Sequence, residues 1–99
     1  MKVLLDEITI RTEPKAGDLG YVIYLHGDLY GREYGFGGQF ETYVAKGVAE
    51  FFEHYDSSRD RIWLAEHGGR TIGSLVLMHR ENNTAQLRYF LIHPNYRGI

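Results

Sequence analysis

His26, Tyr30, Glu33 and Tyr34 recur at helical spacing, about one turn apart, which lines them along one stretch of a helix. A carboxylate beside an aromatic wall can have its pKa raised toward neutrality, and that makes Glu33 a candidate general base. A solvated acid next to Arg32 is the plainer alternative. His26 stands on an otherwise apolar face, either as a core histidine with its nitrogens hydrogen-bonded or as a pocket group kept polar for a substrate. The other chemistry-bearing stretch is "LIHPNYRGI" at residues 91–99. Arg97 can meet a phosphate by charge, and Gly98 can bring backbone N–H groups close to one. A plain surface turn would use the same residues.

Several chemistries are excluded. There is no cysteine, so disulfides, thiol nucleophiles and thiolate metal sites are ruled out, and a reducing cytoplasm is the expected setting. The five histidines, at 26, 54, 67, 79 and 93, show no metal-ligand spacing, and no metal is expected. A formal net charge of −2 argues against direct nucleic-acid binding, which needs clustered Lys and Arg. No apolar run is long enough to cross a membrane or to act as a signal peptide. Hydrophobic residues make up 43% and charged residues 24%, the balance of one globular domain. Eight tyrosines suit a half-buried wall or pocket, because the ring is apolar and its tip polar.

The elements that must position these residues follow from periodicity. Residues 7–13 alternate as a strand. Residues 14–17 break it, and Asp18 is placed to cap a helix by accepting from its first N–H groups. Leu19, Val22, Ile23, His26, Leu29 and Tyr30 share one face of that helix. Gly20 and Gly27 weaken it by about 1 kcal/mol each relative to Ala, so packing or a ligand must decide the local structure. The Gly-rich break "YGREYGFGG" precedes a second helix over residues 39–55, striped by Phe40, Tyr43, Val44, Val48, Phe51 and Tyr55. Three strands follow, "RIWLAE", "TIGSLVLMHR" and "TAQLRYFLIHP", joined by hairpin turns at "HGGR" and "ENN". "LRYFLI" carries bulky residues on both faces, which reads as a central strand covered on both sides. An edge left beside it needs a cover, because it presents unpaired N–H and C=O groups.

This order, with Ile92-His93-Pro94-Asn95-Tyr96-Arg97-Gly98-Ile99, resembles the N-terminal half of the GNAT N-acetyltransferases and the opening of their acetyl-CoA pyrophosphate loop. The text at residues 17–36 and 85–94 is most similar to the acetyltransferase domain found behind MarR-type regulators. The resemblance implies an α/β fold of order β-α-α-β-β-β, a mainly antiparallel sheet with helices packed on it. It also implies that residues 1–99 form a single partial domain, truncated after the fourth strand and impaired when alone.

Transfer of acetyl from acetyl-CoA, as co-substrate, to a small-molecule or peptide amine is the implied reaction. By position, Ile92 would pair its backbone with pantetheine, and the N–H of Phe90 or Leu91 would face the thioester oxygen. Such a donor is worth about 3–4 kcal/mol where it has been measured. Arg97, Gly98 and Ile99 would begin the pyrophosphate nest. The family often places a Glu where this chain has Gln86, which cannot accept a proton at neutral pH, so water relayed to Glu33 or to a backbone carbonyl remains. His26, Tyr30, Tyr34 and Gln86 would line the acceptor pocket. A non-catalytic module stays open as the alternative. It would sense a small molecule through the tyrosines, or pair its fourth-strand edge with another chain, including a second copy in a homodimer.

Overall fold

The computed structural model describes residues 3–98. They form two compact units, one built from residues 3–13 with 58–98, the other from Pro14–Ser57.

The first unit is a four-stranded antiparallel sheet in the order β1-β2-β3-β4, with β1 Thr9–Arg11, β2 Arg61–His67, β3 Arg70–Arg80 and β4 Thr84–Ile92. β1 is shorter than the alternation predicts. It pairs with β2 from Thr9↔Glu66 to Arg11↔Leu64, and the Arg11 guanidinium reaches Glu66 at 2.9 Å. The β2–β3 turn needs two residues of positive φ, and Gly68 and Gly69 supply them at 59° and 77°. At the β3–β4 turn Asn82 and Asn83 do the same, at 60° and 57°. Paired residues share a sheet face, so Ile62, Leu64, Val76 and Met78 stack on one side, and all four are buried. Burying such aliphatic side chains fully stabilises the fold by about 1.5–3 kcal/mol each.

Asp60, just before β2, is also buried. Its carboxylate accepts from the His79 backbone N–H and lies against His79 Nδ1, each at 2.7 Å. The start of β2 is thereby tied to the end of β3, and a buried carboxylate receives the partners it requires.

The second unit is a helix pair. α1 spans Asp18–Tyr34 and α2 spans Gly38–Glu53. Asp18 does not cap α1 as the sequence suggests. Gly17, at φ 97°, takes the N-cap position, and Asp18 Oδ2 instead accepts from Lys15 N at 2.8 Å. The carboxylate closes the turn before the helix rather than its first N–H groups. The buried stripe of α1 is Val22, Leu25, His26 and Leu29, with Leu25 added to the predicted face and Leu19, Ile23 and Tyr30 half-buried, and α2 buries Val44, Val48 and Phe51. Gly35, at φ 72°, ends α1, and its N–H bonds back to carbonyls of the last turn. Gly27 has a packing reason: a Cβ there would collide with the Glu41 side chain from α2. No helix among the described residues is long and apolar enough to cross a membrane.

Candidate functional site

Two places concentrate the residues singled out above, one in each unit. The first is the end of β4 with the turn after it. β3 and β4 pair regularly from Arg80↔Thr84 to Val76↔Arg88, then resume at Ser74↔Leu91. Two residues of β4, Tyr89 and Phe90, thus stand against Leu75 alone. This is a β-bulge, and Tyr89 sits in it at φ 55°. Positive φ is a sparsely populated, strained state for a bulky side chain. The Ser74 hydroxyl donates to the Tyr89 carbonyl at 2.7 Å and holds the strained peptide in place.

The bulge changes what the strand presents. Along an unbulged strand Gln86, Arg88, Phe90 and Ile92 would share a face, because side chains alternate. With one extra residue, that face continues at Leu91 instead. Tyr89 and Leu91 are buried, while Leu87 and Phe90 are each 64% exposed. The predicted two-sided burial is therefore corrected. Within the described sheet β4 is an edge strand, and its run of bulky residues marks the bulge.

The peptide planes give the directions of the backbone groups. All described peptides are trans, so each C=O points opposite to the next residue's N–H. The Tyr89 carbonyl is turned to the Ser74 hydroxyl, which turns the Phe90 N–H away from that buried side chain. The Leu91 carbonyl lies against Gly73, where an added Cβ would sit 3.1 Å from it, so the Ile92 N–H faces the edge. His93 N donates inward to Ile72 O at 2.8 Å, leaving the Ile92 carbonyl outward. Arg97 Nε reaches that carbonyl at 2.9 Å. Of the two donors expected for an oxyanion, the Phe90 N–H points away from the Ser74 hydroxyl.

After β4 a single turn of 3-10 helix, Pro94–Tyr96, leads to Arg97 and Gly98. Gly98 has φ 84°, and nothing lies within 4 Å of where its Cβ would be. Backbone of this kind lets successive N–H groups converge on an anion. Ile99 lies outside the described residues.

The second place is aromatic. His26, Tyr30 and Tyr34 do line up on α1, with ring centroids 6.0 and 5.5 Å apart. Phe36, and Phe40 from the stripe of the second helix, complete the cluster, with Phe40 4.8 Å from Tyr30. The glycine break folds back so that Phe36 N bonds Tyr30 O at 3.4 Å. Tyr34 and Phe36 stay exposed at 64% and 47%. His26 is buried, and its Nδ1 donates to the Val22 carbonyl at 2.9 Å. Burial pushes its pKa below 6.5, against the raising effect of that hydrogen bond. Glu33 is exposed on the last turn of α1. Gln86, also exposed, accepts from Arg80 Nε at 3.1 Å and is not drawn into either cluster. Among the described residues no group of three or more His, Asp or Glu is placed to hold a metal ion.

A β-α-α-β-β-β chain whose last strand is bulged and runs into an Arg-Gly turn has the architecture of an acetyltransferase half-fold. Residues 20–99 match the model described as the Acetyltransferase (GNAT) family, and the chain belongs to that family. It is similar in fold to a possible acetyltransferase from Clostridium difficile 630, with TM-score 0.64 and 14% identity, over 92% of this chain and 60% of that one. It is also similar to a predicted acetyltransferase from Clostridium acetobutylicum, crystallised with acetyl-CoA, with TM-score 0.62 and 13% identity, over 92% of this chain and 63% of that one. The chain thus spans only 60% and 63% of the lengths of these two structures. No curated protein matches it.

Proposed function

We propose that this chain supplies the acetyl-CoA-binding part of an N-acetyltransferase that moves acetyl to a primary amine. The observation that carries the reading is the bulged end of β4, which turns the Ile92 N–H to the sheet edge and the Phe90 N–H away from the buried Ser74 hydroxyl. The likeness in fold to a protein crystallised with acetyl-CoA supports the choice of co-substrate.

In this reading the Ile92 N–H pairs with the pantetheine arm, as an added strand would. The Phe90 N–H donates to the thioester oxygen, where negative charge grows as the amine nitrogen bonds to the carbonyl carbon. The bulge fixes that donor beforehand, which is what makes such a group effective. The C–S bond then breaks, the nitrogen loses a proton and the thiolate gains one. Arg97 and Gly98 bind the diphosphate. Glu33 takes the ammonium proton through water, since Gln86 has no basic group. The rings of Tyr30 and Tyr34, beside buried His26, hold the apolar body of the acceptor. The text at residues 17–36 and 85–94 points to the type of domain that accompanies MarR-type regulators, and the lack of cysteine to a reducing, cytoplasmic setting.

Isothermal titration with acetyl-CoA, followed by a thiol-release assay over a panel of amines, tests the proposal. Weak acetyl-CoA binding and impaired amine-dependent thiol release are expected of this partial domain; binding of an amine with no acetyl-CoA affinity contradicts the proposal. That second outcome favours a sensing module, a reading supported by the exposed Tyr34 and Phe36. Pairing of the β4 edge with a second copy would appear as a dimer that acetyl-CoA dissociates.

A further inference from the structure

The bonds within the turn that carries Arg97 and Gly98 are short-range, such as Tyr96 N to His93 O at 2.9 Å and Arg97 Nε to Ile92 O at 2.9 Å. Pro94, Asn95, Arg97 and Gly98 are all exposed, and only Tyr96 is half-buried. The Tyr96 hydroxyl lies 2.8 Å from His67 Nδ1, and the two rings meet edge to face at 5.4 Å. His67 is the last residue of β2, held in place by its pairing with Arg70 across the Gly68–Gly69 turn. Its other nitrogen, Nε2, lies 3.6 Å from Glu7 Oε2, and Glu7 Oε1 accepts from Leu4 N at 3.0 Å. A carboxylate beside Nε2 favours the proton on that nitrogen, which leaves Nδ1 as acceptor for the Tyr96 O–H. A carboxylate, an imidazole and a phenol thus stand in line, from the segment before β1, through the β2–β3 hairpin, to the turn after β4.

We infer that His67 is a positioning residue for anion binding. Oriented by Glu7, it fixes the Tyr96 hydroxyl, and Tyr96 fixes the turn from which Arg97 and Gly98 meet a diphosphate. This rests on the reading that the turn binds the diphosphate of acetyl-CoA. His67 itself touches no ligand. Its contribution is to pre-pay the ordering of an exposed turn, and one hydrogen bond of this kind shifts affinity by about threefold to tenfold.

The test compares acetyl-CoA with S-acetylpantetheine, which lacks the diphosphate, by titration of the wild-type chain and three variants. His67→Ala and Tyr96→Phe are each expected to weaken acetyl-CoA binding by about threefold to tenfold. The double variant should lose no more than the worse single one. His67→Asn, whose amide can replace Nδ1, should recover most of the loss. S-acetylpantetheine binding should stay within about twofold throughout. Tyr96→Phe removes a single oxygen and keeps the ring, so it reports even if His67→Ala folds poorly. Ring nitrogen shifts of His67 give a readout without ligand: an unprotonated, hydrogen-bonded Nδ1 that loses its bond in Tyr96→Phe. Equal losses for both ligands, or unchanged acetyl-CoA affinity, would overturn the inference. Wild-type affinities that do not distinguish the two ligands would remove the diphosphate reading itself, and the inference with it.

Discussion

The end of β4 and the aromatic face of α1 offer a ligand opposite things. β4 offers main-chain donors whose direction is set by a bulge, one serine hydroxyl and a tyrosine held at φ 55°. The helix offers side chains, with Tyr30, Tyr34, Phe36 and Phe40 gathered within 4.8–6.0 Å of their neighbours. A main-chain donor cannot be removed by truncating its side chain, and a ring contact can. In the proposed reading, the difference separates a site for a constant group, such as a thioester and its amide-rich arm, from one for a variable acceptor.

Substitutions can break this contrast, and the largest effect is expected at Phe90. Phe90→Pro deletes the Phe90 N–H on an edge strand, the place in a sheet where proline costs least. It should lower kcat by about 10²–10³ with acetyl-CoA affinity changed only a few-fold. Phe90→Ala, which removes an exposed ring and keeps the N–H, should stay within a few-fold of wild type in kcat. Similar losses in both would mean that the ring, not the backbone, acts.

Ser74→Ala comes next. It leaves the buried Tyr89 carbonyl without the hydroxyl that holds it, and should cost about 1–3 kcal/mol in urea unfolding, with a drop in kcat. A stable variant with full activity would show that the bulge needs no such support.

In the helix pair the effects are smaller. Buried His26 resists protonation when folded, but in the unfolded chain it takes a proton near pH 6.5. Its share of stability is therefore complete above pH 6.5 and declines as pH falls below that value. The slope is at most about 1.4 kcal/mol per pH unit, one proton's worth. His26→Gln should flatten the fall in unfolding midpoint between about pH 7 and pH 5, measured against wild type; identical slopes would contradict the assignment. Least of all, Tyr34→Ala should raise the acceptor KM by about threefold to tenfold, the worth of one aromatic contact, and leave acetyl-CoA binding alone.

The two sites also differed in how far the sequence revealed them. Aromatic residues at helical spacing announce a shared face, so His26, Tyr30 and Tyr34 could be grouped before any coordinates. Phe36 and Phe40 could not, because their place depends on how Gly35, at φ 72°, folds the chain back onto α1. The element order and both hairpins were legible from alternation and turn residues. The N-terminus of α1 was not: Gly17 takes the N-cap, and Asp18 accepts from Lys15 N, which precedes it. The bulge was hidden as well. A run such as "RYFL" suits two-sided burial as well as an extra residue, and only the register against Ser74 and Val76 distinguishes them. His67 and Tyr96 are 29 residues apart, with no pattern linking them, and the antiparallel sheet brings them together.

The central claim is that the backbone of the β4 bulge receives acetyl-CoA. Amide resonances of the 15N-labelled protein, followed while acetyl-CoA is added, test it most directly. The predicted result is that the Phe90 and Ile92 amides shift most and gain protection from exchange, with Gly98 following. Shifts confined to the Tyr30–Phe40 region, with Phe90 and Ile92 unmoved at saturation, would contradict it.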